Sequence, residues 1–447
     1  MEILGDADLG SLGLLYDVAV PLGALAAAPA FLLRSLRHPE YREHLAERLG
    51  SLPPETRRRL DALPGRPVWI HGVSVGEVML AGGLADALTE RSETGGRRLD
   101  FVLSSTTPAG RDLGARRAGR FAAVFHFPLD WSICLRRSLD AVRPAACIMV
   151  EAEIWPGFLR ACRRRSIPVV LVNGRISERS FRRYRRLSGL LKEPLQAFEQ
   201  ACMQSEADAE RARGIGIPVD RVVVTGNMKF DQAPAGPVRL VEPESPVLVA
   251  GSTSPGEEEM VLSAIAGLDE KARRDLLVIL APRHRERFEE VARMLAACGI
   301  PFVRRSELAS IDAYSLFRGA LPRGPAPRVV LLDTVGELAG VYALATVAFV
   351  GGSLVPRGGQ NLIEPAAHGV PVVFGPHTEN FSSMADALIA AGAGFRVNDP
   401  RELSATVSAL LSDPDRRQRA GRSGRALIEA HRGATARTIE RILPFLG

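Results

Sequence analysis

The feature that most constrains this chain is a rhythm that occurs twice. Short, evenly apolar runs alternate with amphipathic stretches of helix length. The runs of the first series lie at residues 67–73, 100–106, 122–127, 145–151, 168–173 and 222–225. Those of the second lie at 247–252, 276–280, 328–332, 347–350, 371–374 and 394–397. Each is rich in Val, Ile, Leu or Phe and is flanked by Gly, Pro or Ser. Strands without polar alternation belong in parallel sheets covered on both faces, and the intervening helices supply that cover. The rhythm predicts two doubly wound α/β domains. Between them residues 231–246 hold four prolines and little periodicity, as a linker would. In such sheets ligands sit beyond the carboxyl ends of the strands, and two facing domains form a cleft there.

Composition narrows the function. Lys and Arg outnumber Asp and Glu by 57 to 51, a net charge of +6, which is too small to signal nucleic-acid binding. The five cysteines are scattered, odd in number and without a CxxC pair, which predicts no disulfide framework and no structural zinc. No histidine pattern predicts a metal site. Residues 18–33 are uncharged, while Arg34, Arg37 and Arg42 follow them. The stretch is interrupted by Pro21 and Pro29 and falls slightly short of the ~20 residues of a full span. Such a segment is either a membrane anchor, spanning or interfacial, or an Ala-rich core hairpin. As an anchor, its trailing arginines place the body of the chain in the cytoplasm.

The strand ends carry the candidate chemistry. The first ends in HGVSVGE, so Glu77 opens a helix next to two glycines and a serine. It reads either as a general base for an acceptor hydroxyl or as a helix-start Glu near a serine cap. The fourth ends in EAEIWP. Glu151 and Glu153 there either orient a ligand or pair with the abundant arginines. Arg175 follows in NGRISERS, inside a stretch from Arg160 to Arg186 that contains ten arginines. This stretch suits an anionic acceptor or anionic lipids, or forms a solvated helix face. In the second half, GSTSPGEE after the first strand suits a phosphate at a helix start. Arg283 is placed to clamp a nucleotide phosphate, and DTVGEL contributes Thr334 and Gly336. The string from Gly351 to Pro365 has glycine pairs that let backbone amides approach a ligand, with Ser353 beside the first pair. Asn361 and Glu364 share one helix face, and Glu364 is suited to accept the hydroxyls of a ribose.

Taken in order, these strings, with GNMKFD at 226–231, PRHRERF at 282–288 and GPHTENF at 375–381, resemble the 3-deoxy-D-manno-octulosonic acid (Kdo) transferases of lipopolysaccharide assembly. The 9–42 segment is similar to that family's N-terminal anchor. The resemblance implies a GT-B glycosyltransferase fold, with two Rossmann-like parallel-sheet domains facing a cleft. The donor would be CMP-Kdo and the acceptor lipid IVA, with inverting transfer, no cofactor and no bound metal. Glu77 would be the catalytic base. Arg283, Thr334, Gly336, Ser353, Asn361, Glu364 and Lys229 would serve the donor, and Glu151, Glu153 and Arg175 the acceptor. The organisation would be an anchor over 1–36, an acceptor domain over 37–230, a linker over 231–246, a CMP-Kdo domain over 247–425, and a C-terminal helix over 426–447 free to cross back. The location would be the cytoplasmic face of the inner membrane, among its phospholipids, with no nucleic-acid partner. The chain departs from the family pattern at Ala152, Gly174, Ser254 and Gln360. A UDP-sugar transferase or epimerase on the same fold is the alternative.

Overall fold

The structure, a computed structural model, describes residues 16, 44–94, 96, 98–116, 119–151, 154–231, 245–308 and 328–447. The expected anchor over 1–36 lies outside the described residues except for Tyr16, as do most of the linker and Glu153. Among the described residues no helix is long and apolar enough to cross a membrane. The chain divides into two compact units, 1–232 with 433–447, and 233–432.

The first unit holds seven parallel strands: β1 (Val68–His71), β2 (Phe101–Ser105), β3 (Ala123–His126), β4 (Ala146–Val150), β5 (Val169–Gly174), β6 (Phe198–Met203) and β7 (Val222–Val224). Their order is β3-β2-β1-β4-β5-β6-β7. In β1, Trp69 and His71 face one side while Val68 and Ile70 face the other, and all four are buried. Trp69 packs edge-on against Phe125 and Phe158, with ring centroids 5.2 and 5.4 Å apart. Each fully buried side chain of this kind contributes about 1.5–3 kcal/mol relative to exposure. The opposite face, with Val68 and Ile70, packs against Leu84 and Leu88 of helix Val75–Thr94. Both layers are apolar because helices cover both faces of the sheet, as the evenly apolar runs predicted.

The second unit repeats the plan with β8 (Val247–Thr253), β9 (Leu277–Pro282), β10 (Phe302–Arg304), β11 (Arg328–Leu331), β12 (Val347–Val350), β13 (Val372–Phe374) and β14 (Gly394–Arg396), in the order β10-β11-β9-β8-β12-β13-β14. Two strands exceed expectation. β6 carries Glu199 and Gln200 and so lacks an even apolar run, and β10 is a three-residue edge strand.

The C-terminus returns to the first unit later than the expected boundary at 426. Helix Pro414–His431 stays with the second unit, and helix Ala434–Ile442 packs in the first. Asp231 accepts the amides of Gly433 at 2.6 Å and Thr435 at 2.5 Å. Thr438 and Thr225 bond through their hydroxyls at 2.8 Å. The Asp231 contacts satisfy amides at the start of the returning helix.

In each unit strand order reverses near the middle of the sheet, between β1 and β4 in the first and between β8 and β12 in the second, where β10 and β11 are also transposed at the edge. Glu77, Glu151, Ser353, Asn361 and Glu364 follow the carboxyl ends of the strands at these two switch points, while Arg175, Lys229, Arg283, Thr334 and Gly336 follow other strands of the same sheets.

Candidate active site

At the first switch point the turn after β1 delivers Glu77. The Ser74 hydroxyl accepts the Glu77 amide at 3.3 Å and donates to one carboxylate oxygen at 2.8 Å. The Val73 amide donates to the other oxygen at 2.7 Å. This resembles a capping box, with the amide of Val73 taking the place of the cap residue's own amide, so the helix-start reading of Glu77 is geometrically sound. The same cap fixes where its carboxylate sits. Glu77 is 8% exposed. Burial raises its carboxyl above the ordinary range and the charge of Glu151 raises it further, while Val73, Ser74 and Lys229 pull it back.

Glu151 directly follows β4 with φ at 65°, a left-handed conformation that is rare away from glycine. Its Oε1 lies 2.6 Å from Lys229 Nζ. Asn173, at the end of β5 with φ at 52°, arranges this pairing. Its side-chain oxygen accepts the Met228 amide at 2.9 Å, which fixes the turn that carries Lys229. Its side-chain nitrogen donates to Glu151 Oε1 at 3.4 Å. Left-handed non-glycine residues cost about 1–3 kcal/mol each and concentrate at functional sites. Sequence reasoning passed over Asn173, though it begins the NGRISERS string. Lys229, expected among the donor contacts, belongs to the first unit and pairs with Glu151, which was expected to serve the acceptor.

His71 ends β1 fully buried, its ring stacked on Phe127 at 3.9 Å between centroids. Burial pushes its imidazole down to about 3, so it is neutral at physiological pH. Arg175 is half-buried just past β5. The arginine stretch divides in two. Arg160 and Arg163 pair with Glu193 at 2.9 and 3.2 Å, and Arg165 pairs with Asp140 at 3.1 Å. In helix Glu178–Arg186, by contrast, Arg179, Arg182, Arg183, Arg185 and Arg186 are exposed, while Phe181 and Tyr184 pack inward. Gly174, where the family commonly has Ala, leaves room for Met203: a Cβ there would lie 2.5 Å from its sulfur.

At the second switch point Glu364 opens helix Ile363–Ala367 and accepts a hydrogen bond from Asn361 Nδ2 at 3.0 Å. Burial raises its carboxyl, and Asn361 and the Arg283 charge lower it. Arg283, exposed at the end of β9, is thereby brought into Coulombic range of Glu364. Tyr342, not foreseen from sequence, is fully buried beneath Gly251, where a Cβ would lie 2.0 Å from its hydroxyl. Thr334 donates its hydroxyl proton to Glu337, which also accepts from Arg305 at 2.9 Å. Gly336 turns the same loop with φ at 92°.

Two groups near the expected donor loop are engaged within the protein. The Ser353 hydroxyl is buried and engaged, donating to the Val350 carbonyl at 2.6 Å and accepting the Gly375 amide at 2.8 Å. It shapes the loop rather than presenting a free group. Backbone amides of this loop are also engaged: that of Gly352 in the first glycine pair, and those of Ser254, Ser353 and Leu354, all donate to the Glu257 carboxylate. Among the described residues no cluster of three or more His, Cys, Asp or Glu is set to hold a metal ion.

Comparison with known proteins extends these observations. A family model described as 3-Deoxy-D-manno-octulosonic-acid transferase (kdotransferase) matches residues 43–232. The 3-deoxy-D-manno-octulosonic acid transferase of Bordetella pertussis is 38% identical over 396 residues, covering 85% of this chain and 88% of that protein. The enzyme of the same name from Haemophilus influenzae is 32% identical over 423 residues, covering 93% of this chain and 94% of that protein. Among solved structures, MurG of Acinetobacter baumannii aligns with a TM-score of 0.53 at 14% identity, over 85% of this chain and all of that one. UDP-GlcNAc 2-epimerase of Neisseria meningitidis aligns with a TM-score of 0.54 at 12% identity, also over 85% of this chain. At such identities these two likenesses speak to the fold alone, which is GT-B.

Proposed function

The chain belongs to the 3-deoxy-D-manno-octulosonic acid (Kdo) transferase family, and on that premise we propose that it moves Kdo from CMP-Kdo to lipid IVA with Glu77 as general base. The observation that carries this reading is the setting of Glu77. A carboxyl raised by burial is a better base once ionised, and its cap holds it in place without consuming every lone pair. In the proposed step the acceptor hydroxyl oxygen attacks the anomeric carbon of Kdo. The bond from that carbon to the CMP phosphate oxygen breaks, and the hydroxyl proton passes to Glu77. Attack opposite the leaving group inverts the anomeric centre. CMP departs with the electron pair and gains negative charge.

Arg283 supports that departure as a permanent cation at a strand end. Glu364, held by Asn361, suits the ribose hydroxyls. With Arg283 supplying the charge, the reading requires no bound metal. The Glu151–Lys229 pair stands beside Glu77 and regulates how readily it ionises. The exposed arginines of helix Glu178–Arg186 suit the phosphates of the acceptor or of inner-membrane phospholipids. With the uncharged 18–33 segment, they support a site on the cytoplasmic face of the inner membrane.

The test is CMP release by the full-length chain. The reading expects release only when CMP-Kdo and lipid IVA are both present, and thermal stabilisation by CMP but not by UDP. Stabilisation by UDP alone would instead favour a UDP-sugar enzyme on this fold.

A further inference from the structure

Glu257 is a buried acid that the proposed chemistry does not use. It opens helix Glu257–Ala266 after β8 and is 0% exposed. No ion pair to it is found among the described residues; the neighbouring Arg287 pairs with Glu258 at 2.7 Å. Its charge is met by backbone amides alone. Oε2 accepts Ser254 at 2.8 Å and Gly352 at 2.5 Å, and Oε1 accepts Ser353 at 2.9 Å and Leu354 at 2.8 Å. Three successive amides converging on one anion form a nest of the kind that elsewhere binds phosphate. Here the anion is part of the chain.

The nest is tightly built. A Cβ on Gly351 would lie 2.8 Å from Glu257 Oε2 and 2.6 Å from Thr253 Cα. Gly352 has φ at 66°, and its carbonyl accepts the Gly359 amide at 2.7 Å. The next residues are Gln360 and Asn361, and Asn361 holds Glu364. Glu257 therefore fixes one end of a loop whose other end carries the groups assigned to the nucleotide.

We propose that Glu257 is a positioning residue for the donor: a built-in anion that fills the amide nest of the glycine loop, sets Asn361 and Glu364 in place, and leaves the donor phosphate to Arg283. This rests on the donor-binding role proposed above for the second unit. Each carboxylate oxygen serves two amides, so Glu257→Gln satisfies one pair and turns an NH2 group toward the other.

The experiment varies CMP-Kdo at fixed lipid IVA, and lipid IVA at fixed CMP-Kdo, for the wild type and E257Q. Donor KM should rise at least tenfold, with kcat and acceptor KM within about threefold and CMP affinity weakened in parallel. A folded E257Q with unchanged donor KM would overturn the proposal, as would one that binds CMP or inorganic phosphate more tightly. The second result would mark the nest as the donor's own phosphate site. Hydrogen exchange on the nucleotide-free wild type needs no variant. The proposal expects the amides of residues 352–354 to be protected already, and protection acquired only on adding CMP would overturn it. A wild type that binds CMP but transfers no Kdo would count against the proposed function, while leaving this exchange pattern readable.

Discussion

The ionisation of Glu77 should move in opposite directions when its two charged neighbours are removed one at a time. Glu151 raises the Glu77 carboxyl and Lys229 lowers it. Glu151→Gln removes the repulsion and unmasks the Lys229 charge, so Glu77 ionises at lower pH. Lys229→Met leaves Glu151 unopposed, so Glu77 ionises at higher pH. A charge within about 4–6 Å moves a carboxyl by roughly 1–3 pH units. Because Lys229 and Glu151 partly neutralise each other at 2.6 Å, the expected displacement lies near the lower limit. It should be about 1 pH unit, equivalent to ~1.4 kcal/mol. Glu151 outranks Lys229 among the influences on Glu77, so the E151Q displacement should be the larger. The readout is CMP release at low substrate between pH 5 and 9. Activity requires ionised Glu77, so the acid limb of kcat/KM should shift down in E151Q, up in K229M, and return toward the wild type in the double variant. Two folded variants whose acid limbs move together, or not at all, would refute the reasoning.

Two further outcomes test the scaffold. Gly375→Ala places a Cβ 2.1 Å from the Ser353 carbonyl oxygen, a backbone atom that cannot rotate away, so thermal unfolding should shift downward by the equivalent of about 1–3 kcal/mol; an unchanged midpoint would show that the loop has slack. Burial pushes His71 down to about 3 and His126 down to about 4. The unfolded chain takes up a proton at each near pH 6.5 and the folded chain does not. Stability present above pH 6.5 is therefore lost as pH falls toward 4, by up to about 1.4 kcal/mol per pH unit for each histidine. Burial raises Glu77, Asp130 and Glu364, which act in the opposite sense over part of that window. Urea denaturation of the wild type and His71→Phe at pH 7, 6 and 5 isolates one histidine, and identical slopes would contradict its being buried neutral.

The alternation of apolar runs was enough to read two doubly wound domains, because a parallel sheet with both faces covered demands evenly apolar strands. β6 escaped because Glu199 and Gln200 stand within it as half-buried residues. Glu77 and Glu364 were legible as acids at strand-to-helix junctions. Glu257 stands at the same kind of junction, yet three of its four partner amides lie 95 to 97 residues further along the chain. No local pattern reveals such a pairing. The glycine-rich string around 351 read as a ligand cradle for a sound reason, since its amides do converge on an anion. The fold supplies that anion from β8's own helix. The pairing of Lys229 with Glu151 was not legible, because Asn173 brings the two together through tertiary hydrogen bonds.

Mass spectrometry of lipid IVA after incubation with CMP-Kdo tests the central claim most directly, with wild-type and Glu77→Gln proteins side by side. The account predicts that the wild type adds mass in whole Kdo increments, and that the folded variant does so more slowly by about 10²–10⁴-fold. A wild type that leaves lipid IVA unchanged, or a variant that keeps pace with it, would contradict the account.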